Sequence, residues 1–395
     1  MEEIKKTLKK EFEDHLNQVI LPFWMNLRDN QYGGFYGYVD MDLNVVRDAV
    51  KGCILNNRIR WFFSNAYMTL KRPELLDYAK HAYEFLKNAC LDRECGGVYW
   101  SVACDGRVEE DMKHTYNQAF AIYALSSYYD VSGDQEALDI AWSIYDVIEA
   151  NCKDELGYLE AFDRNFKPVS NEKLSENGVM AEKTMNTLLH VMEGYSELYR
   201  VTKDERVGAN LRWMLEILVK KVYNPALRRQ EVFFDREWNS IIDLHSYGHD
   251  IETSWLADRA QEILGDPEVE AMLLPVTKEL AAHIYERAYC DSSLLNECER
   301  GVDSTIRIWW VQAEAVVGFM NAYQRCPEKT EYFEAVKSIW NYIQNVQTDK
   351  RPGSEWFWSM DADRTPSAGK PIVEPWKCPY HNGRMCFEMM KRLSE

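Results

Sequence analysis

Apolar residues recur at helical spacing along almost the whole chain. The pattern predicts helices over 3–20, 54–70, 73–90, 113–131, 134–151, 180–202, 204–223, 249–265, 268–288, 306–326, 329–346 and 380–393. Neighbouring helices are joined tightly, at Lys71-Arg72-Pro73, Ser132-Gly133-Asp134, Thr202-Lys203-Asp204 and Gly265-Asp266-Pro267. In each turn a helix-stopping Gly or Lys precedes an Asp or Pro that starts the next helix. Longer segments separate the pairs, and they look alike. Gly33-Gly34-Phe35-Tyr36, Gly96-Gly97-Val98-Tyr99, Gly157-Tyr158-Leu159-Glu160 and Gly353-Ser354-Glu355-Trp356 are turn glycines followed by short strand-like runs. Glu231-Val232-Phe233-Phe234 and Ser293-Leu294-Leu295-Asn296 hold the same place without the glycine. A recurrence of roughly sixty residues marks a repeat architecture.

Six such units give twelve helices. A closed ring removes the exposed ends that a solenoid must cap. The expected fold is therefore an all-α (α/α)6 toroid, six helices inside six, with short β-hairpin-like loops at one mouth. Its first and last helices would be neighbours. No Pro/Gly/Ser-rich linker breaks the rhythm, so one domain over 1–395 is expected. A closed ring needs no partner chain, and a monomer is expected.

The helices that follow the β-like loops start unusually. Their starts include Asn56-Asn57-Arg58, His114-Thr115-Tyr116, Met185-Asn186 with His190, His245 through Glu252, Trp309-Trp310 with Glu314, and Trp376 through Arg384. The other helices, such as the one beginning Pro73-Glu74-Leu75-Leu76, have one apolar stripe and a charged face. The loop-following helices are thus read as the inner ring, with their polar starts converging on a pocket at the mouth.

Composition narrows the ligand. A formal charge of -18 argues against nucleic acid, because phosphate binding needs a basic face. An aromatic fraction of 13%, with 13 Trp and 23 Tyr, suits a cleft for the flat faces of sugars. Met1-Glu2-Glu3-Ile4-Lys5-Lys6 opens no secretory pattern, and no stretch approaches a membrane span. The 10 cysteines are scattered without a C-x-x-C pair, which reads as reduced thiols and a cytoplasmic location.

His245 and His249 stand four apart at a loop-to-helix transition. Histidine titrates near neutrality and can act as acid or base. Together with His381 near the sixth inner start, they outline a proton-transfer site. A metal is not expected, since Gly248 puts the helix start between the two histidines and no third-ligand motif follows. Glu252, one turn after His249, would fix its tautomer. Arg58 suits a hydroxyl or a developing oxyanion, and Trp309 or Trp310 could stack on a pyranose. Asp250, Glu252 and Glu314 form no obvious glycosidase pair. Nucleophile elbows, Walker loops and GxGxxG are absent. On the residues alone, a proton-transferring sugar enzyme, a non-catalytic oligosaccharide-binding toroid and a carboxylate glycosidase all remain.

Three longer motifs go further: Ser246-Tyr247-Gly248-His249-Asp250-Ile251-Glu252, Trp309-Trp310-Val311-Gln312-Ala313-Glu314-Ala315 and Trp376-Lys377-Cys378-Pro379-Tyr380-His381-Asn382-Gly383-Arg384. In these, and from Pro22-Phe23-Trp24 onward, the chain resembles the N-acylglucosamine 2-epimerase superfamily. The resemblance implies an (α/α)6 barrel that inverts C2 of the reducing-end sugar of a β-1,4 disaccharide without a cofactor. The route implied is ring opening and a cis-enediolate; mannobiose 2-epimerase, N-acylglucosamine 2-epimerase and mannose isomerase activities of the same superfamily are the alternatives. It assigns His249 and His381 as the two acid/base residues and His190 to ring opening or enediolate binding. Arg58, Tyr116 and Asn186 would surround the reducing-end sugar, with Glu252 as the partner of His249. Trp310 and Trp376 would be aromatic sugar contacts, with Trp309 able to exchange roles with Trp310, and Glu314 would join the substrate-binding set. Arg60 departs from the pattern, where an apolar residue is usual.

Overall fold

The computed structural model describes residues 2–174 and 178–394. In chain order its helices are α1 (Glu2–His15), α2 (Leu21–Asn26), α3 (Cys53–Leu70), α4 (Pro73–Phe85), α5 (Thr115–Ser132), α6 (Gln135–Val147), α7 (Met185–Thr202), α8 (Glu205–Ile217), α9 (Tyr247–Leu264), α10 (Pro267–Arg287), α11 (Trp309–Arg325), α12 (Thr330–Tyr342) and α13 (Tyr380–Arg392). A wide π turn, Leu16–Ile20, makes α1 and α2 one continuous outer helix. The same turn ends α4, α6, α8 and α12, at Leu86–Cys90, Ile148–Cys152, Leu218–Val222 and Ile343–Gln347. A feature repeated at one place in most units belongs to the repeat itself.

The ring follows from which helices touch. α3, α5, α7, α9, α11 and α13 pack each on the next, and α13 packs on α3 to close the circle. Outside them, α4, α6, α8, α10 and α12 lie against the inner helices that precede them, and α1 lies against α13. Inner helices are buried nearly all round: every residue of α5 from Thr115 to Tyr128 is buried. Outer helices bury a stripe, as Leu75, Ala79, Ala82, Tyr83 and Phe85 do in α4. Inner helices approach closely where glycine permits. A Cβ on Gly194 would lie 2.7 Å from the Ala119 carbonyl oxygen of α5, and one on Gly318 would lie 2.7 Å from that of Ile251 in α9.

The turns between paired helices form as their residues dictate. Lys71, Gly133, Lys203 and Gly265 adopt the left-handed conformation that ends a helix. Asp134, Asp204 and Asp266 then accept the N–H of Glu136, Arg206 and Glu268 as caps.

At the mouth, the segment entering each inner helix pairs with the loop of the next unit. Lys51–Gly52 pairs with Ser101–Val102, Lys113–His114 with Ala161–Phe162, and Lys183–Thr184 with Phe233–Phe234. Leu244–Ser246 pairs with Glu297–Glu299, and Arg307–Ile308 with Ser359–Met360. A bridge between Val39 and Val373 joins the last unit to the first. Buried lysines brace these entries. Lys51 meets Asp29 at 2.6 Å, Lys113 meets Asp92 at 3.0 Å and Lys183 meets Asp154 at 2.9 Å.

Three boundaries differ from the sequence expectation. The first helix runs on to Asn26 instead of stopping at 20, because Pro22 falls in the first turn of α2, where no intrahelical N–H is required. α7 begins at Met185 instead of 180, and α11 at Trp309 instead of 306. The residues just before each are held in strand pairs. Arg60 is fully buried and bonds Asn57 Oδ1 at 3.2 Å and the Ala121 carbonyl at 3.1 Å. Burial pushes its guanidinium down to about 9, and among the described residues its Nε and Nη1 meet no hydrogen-bond partner. Among the described residues no helix is long and apolar enough to cross a membrane.

Candidate active site

The inner helix starts meet around a cavity of about 270 Å³. Arg58 enters from α3, Tyr116 from α5, Asn186 and His190 from α7, His249 and Glu252 from α9, Trp309 and Trp310 from α11 and His381 from α13, with Trp376 just before α13. Every candidate drawn from the family resemblance thus lines the cavity except Glu314. Glu314 is buried behind the wall, where its Oε1 accepts from His381 Nδ1 at 2.8 Å and its Oε2 from Trp255 Nε1 at 2.9 Å. It orients a histidine and does not face a ligand.

Glu252 also departs from expectation. It does not bond His249; its Oε1 accepts from Arg384 Nη2 at 2.5 Å and lies 3.9 Å from His381 Nδ1. Three residues along a helix carry a side chain about 4.5 Å deeper, and at that depth the Arg384 cation draws the carboxyl. His249 Nδ1 instead meets Ser246 Oγ at 2.7 Å. His245 faces away from the cavity: its Nε2 meets Asp250 Oδ2 at 2.8 Å and its ring stacks on His283 at 5.3 Å. It is part of the frame and not of the proton-transfer pair.

One guanidinium organises the layer beneath. Arg384 Nη2 also donates to Glu314 Oε1 at 2.7 Å, and Nη1 donates to Glu193 Oε1 at 2.5 Å. Glu193 Oε2 accepts from His190 Nδ1 at 2.8 Å, and Glu193 Oε1 accepts from Tyr380 Oη at 2.6 Å. The partners of two cavity histidines therefore hang on a single cation. Glu252, Glu314 and His381 offer ligand-type atoms within 4.8 Å of one another, but the Arg384 guanidinium already sits on both carboxylates.

The tryptophans divide their work. The Trp310 ring touches both acid/base candidates, with centroids 4.7 Å from His249 and 5.5 Å from His381. It needs Gly248 beneath it, since a Cβ there would come within 2.5 Å of the indole. Trp309 packs on Trp358 at 5.0 Å and is nearly buried. Arg58 is caged by rings, 4.2 Å from the Phe120 centroid and 5.0 Å from Tyr380. Among the described residues its hydrogen bonds go to Tyr116 Oη at 2.5 Å, the Trp376 carbonyl at 3.4 Å and Cys378 Sγ at 4.0 Å, none of them a carboxylate. Its charge is left free for an oxyanion.

Electrostatics keep the imidazoles neutral. Burial pushes His249 down to about 3, helped by His190. Burial, then the charges of Arg384 and Arg58, hold His381 well below the usual range. Burial also lowers His190, against the opposing pull of Glu193. For Glu193, burial alone would raise the carboxyl, but Arg384 and the His190 bond bring it down to about 2. Burial and then the Glu314 charge push Glu252 well above the carboxylate range. A carboxylate on Nδ1 leaves the Nε2 lone pair of His190 and His381 as the free base.

A consequence for stability follows. His15, His114 and His249 are each held by burial at about 3, 4 and 3. Unfolded, they take protons near 6.5. The unfolded chain therefore binds more protons below that value, and this contribution to stability is present above about pH 6.5 and lost as pH falls. Urea midpoints measured at pH 7.5, 6 and 5 are expected to fall in that order.

Sequence reasoning missed the outer lining: Lys173, Leu174, Val232, Phe233, Asn296, Glu297 and Trp358. The signal for several was available, because Phe233, Asn296 and Trp358 lie in the recurring mouth loops. Glu193 lies three after His190, the same spacing that drew attention to Glu252.

The arrangement can remove a proton from carbon next to a carbonyl and hold the resulting oxygen charge. Comparisons with known proteins agree with it. The family model for N-acylglucosamine 2-epimerase (GlcNAc 2-epimerase) matches residues 33–382. The chain is 50% identical over 385 residues to the cellobiose 2-epimerase of Ruminococcus albus, covering 98% of each chain. It is 51% identical over 392 residues to that of Eubacterium cellulosolvens, covering 95% of this chain and 96% of the relative. The crystal structure of a sugar epimerase from a ruminal bacterium superposes with a TM-score of 0.96 at 49% identity, over 98% of this chain and 99% of that one. With the match running from before Arg58 to beyond His381, the chain belongs to the N-acylglucosamine 2-epimerase family.

Proposed function

We propose that this protein is a cellobiose 2-epimerase, inverting C2 of the reducing-end glucose to give 4-O-β-D-glucosyl-D-mannose. The carrying observation is that His249 and His381, on different inner helices, both lie against the Trp310 ring in one cavity. The pyranose must open first, and His190, in the cavity wall, moves the ring proton. In the open chain the C2 hydrogen is α to a carbonyl. His381 Nε2 takes that proton while the C–H electrons form the C1–C2 double bond and place charge on O1. Arg58 meets the charge of this cis-enediolate. A proton from His249 then reaches C2 on the opposite face, and the carbonyl returns as the new C–H bond forms. Each positioned acid or base supplies about 10²–10⁴-fold.

The test is cellobiose incubated in heavy water and followed by NMR. The expected product is the mannose-ended disaccharide carrying deuterium at C2. An unlabelled epimer sinks the proton-transfer route. Release of glucose points to a glycosidase, and unchanged sugar with measurable binding to a non-catalytic toroid.

A further inference from the structure

The three cavity histidines are not alike. His190 and His381 each have a carboxylate on Nδ1, from Glu193 and Glu314. His249 has a hydroxyl, Ser246 Oγ at 2.7 Å. The charges acting on His249 are those of His190 from α7 and Glu314 from α11. On its own helix Glu252 is bonded to Arg384.

Ser246 is itself anomalous. It is the N-cap of α9, and serine is among the best residues for capping the N–H groups of a first turn. Thr184, in the same place before α7, does cap, accepting the N–H of Thr187. Ser246 makes no cap bond. It is buried at the cavity wall, and among the described residues its hydroxyl meets one partner, the His249 ring. A stabilising local bond has been given up for a contact with an imidazole at the reaction site.

The group that meets Nδ1 decides where the ring proton can sit. A hydroxyl has one hydrogen to give and can also accept. A carboxylate can only accept, and so draws the ring proton to Nδ1 as in His190 and His381, whereas a hydroxyl in that place can donate instead. If it donates to Nδ1, both groups are satisfied and the ring proton must sit on Nε2. We propose that Ser246 is a positioning residue that holds His249 with its proton on Nε2, making His249 the proton bearer opposite the base His381.

This rests on the epimerase reading above and sharpens it. His381, with Nδ1–H bound to Glu314, presents a lone pair; His249 presents a proton. In one turnover His381 gains the C2 proton and His249 gives one to C2, whose new bond uses the electrons of the C1–C2 double bond. His381 is left as imidazolium and His249 as imidazolate, and one proton passed from the first to the second through solvent returns both rings to their neutral forms. In the reverse direction His249 takes the proton back in that depleted form.

The experiment uses the whole protein with ¹⁵N-labelled histidine, and His249 is identified by the signals lost in His249→Gln. NMR of the unmodified enzyme is expected to show the His249 proton on Nε2. In Ser246→Ala, kcat on cellobiose is expected to fall about 10²-fold while KM stays within about twofold, because a transition-state contact and not uniform binding is lost. Ser246→Thr keeps the hydroxyl and restores most of kcat. Ser246→Asp puts a carboxylate on Nδ1, as Glu314 does for His381, so the ¹⁵N signals are expected to show the ring proton moved to Nδ1 and kcat to fall as in Ser246→Ala. A His249 proton found on Nδ1, or a Ser246→Ala enzyme with undiminished kcat, overturns the assignment even where wild type makes the epimer. Wild type that makes no epimer but carries the Nε2 proton removes the reaction proposed above and leaves the tautomer standing.

Discussion

His381→Ala is expected to lower kcat for cellobiose about 10³-fold with the fold intact. The loss is specific because the residue's buried neighbours keep other partners. Without the imidazole, Glu314 still holds Arg384 at 2.7 Å and Trp255 at 2.9 Å, so no charge is stranded. The lost group is the free Nε2 lone pair, whose direction is set by Nδ1–H donation to Glu314. KM should move little, since Arg58, Tyr116, Trp310 and Trp376 still line the cavity. Steady-state kinetics together with an unchanged urea midpoint would establish this. Full turnover in the variant would remove His381 from the mechanism.

Arg384→Met should be the most destabilising single change at the site, by about 3–5 kcal/mol. The arginine is fully buried and bonds Glu193, Glu252 and Glu314. Taking away the shared cation leaves three carboxyl groups facing one another out of water. Protonation relieves them, so the loss relative to wild type should be larger at pH 8 than at pH 5, provided both proteins are compared at each pH. Arg384→Lys keeps a charge but lacks the fork that reaches several carboxylates at once, and should recover only part. Equilibrium urea unfolding measures the effect. A methionine variant as stable as wild type would show that the carboxyl layer does not depend on the cation.

The sequence made the ring legible because the repeat alternates two kinds of helix. Pro73 to Phe85 shows a plain stripe, whereas Thr115 to Tyr128 carries polar groups inside an otherwise apolar run. Such polar groups at the start of a fully buried helix have nowhere to point but a shared cavity. Arg58, Tyr116, Asn186, His190, His249, Trp310 and His381 were readable for that reason. The partners of the imidazoles were not. Glu314 reaches His381 across 67 positions of chain, and Arg384 reaches Glu252 across 132. Local spacing cannot show such meetings. It misled for Glu252, where proximity to His249 in sequence suggested a bond that a nearby guanidinium draws elsewhere. His245 failed for a related reason: it belongs to the strand Leu244–Ser246, and alternation along that strand turns it to the opposite side.

The helix α13 closes the circle by packing between α11 and α3, and it carries both His381 and Arg384. A growing chain on the ribosome reaches α13 after all the other helices. Until then the nascent protein is an open horseshoe whose two flanking walls, on α3 and α11, are bare and oily. That interval is when a chaperone would be most useful and when mispairing with a neighbouring nascent chain is most dangerous. Catalytic competence should therefore arrive abruptly, in the same step that seals the horseshoe.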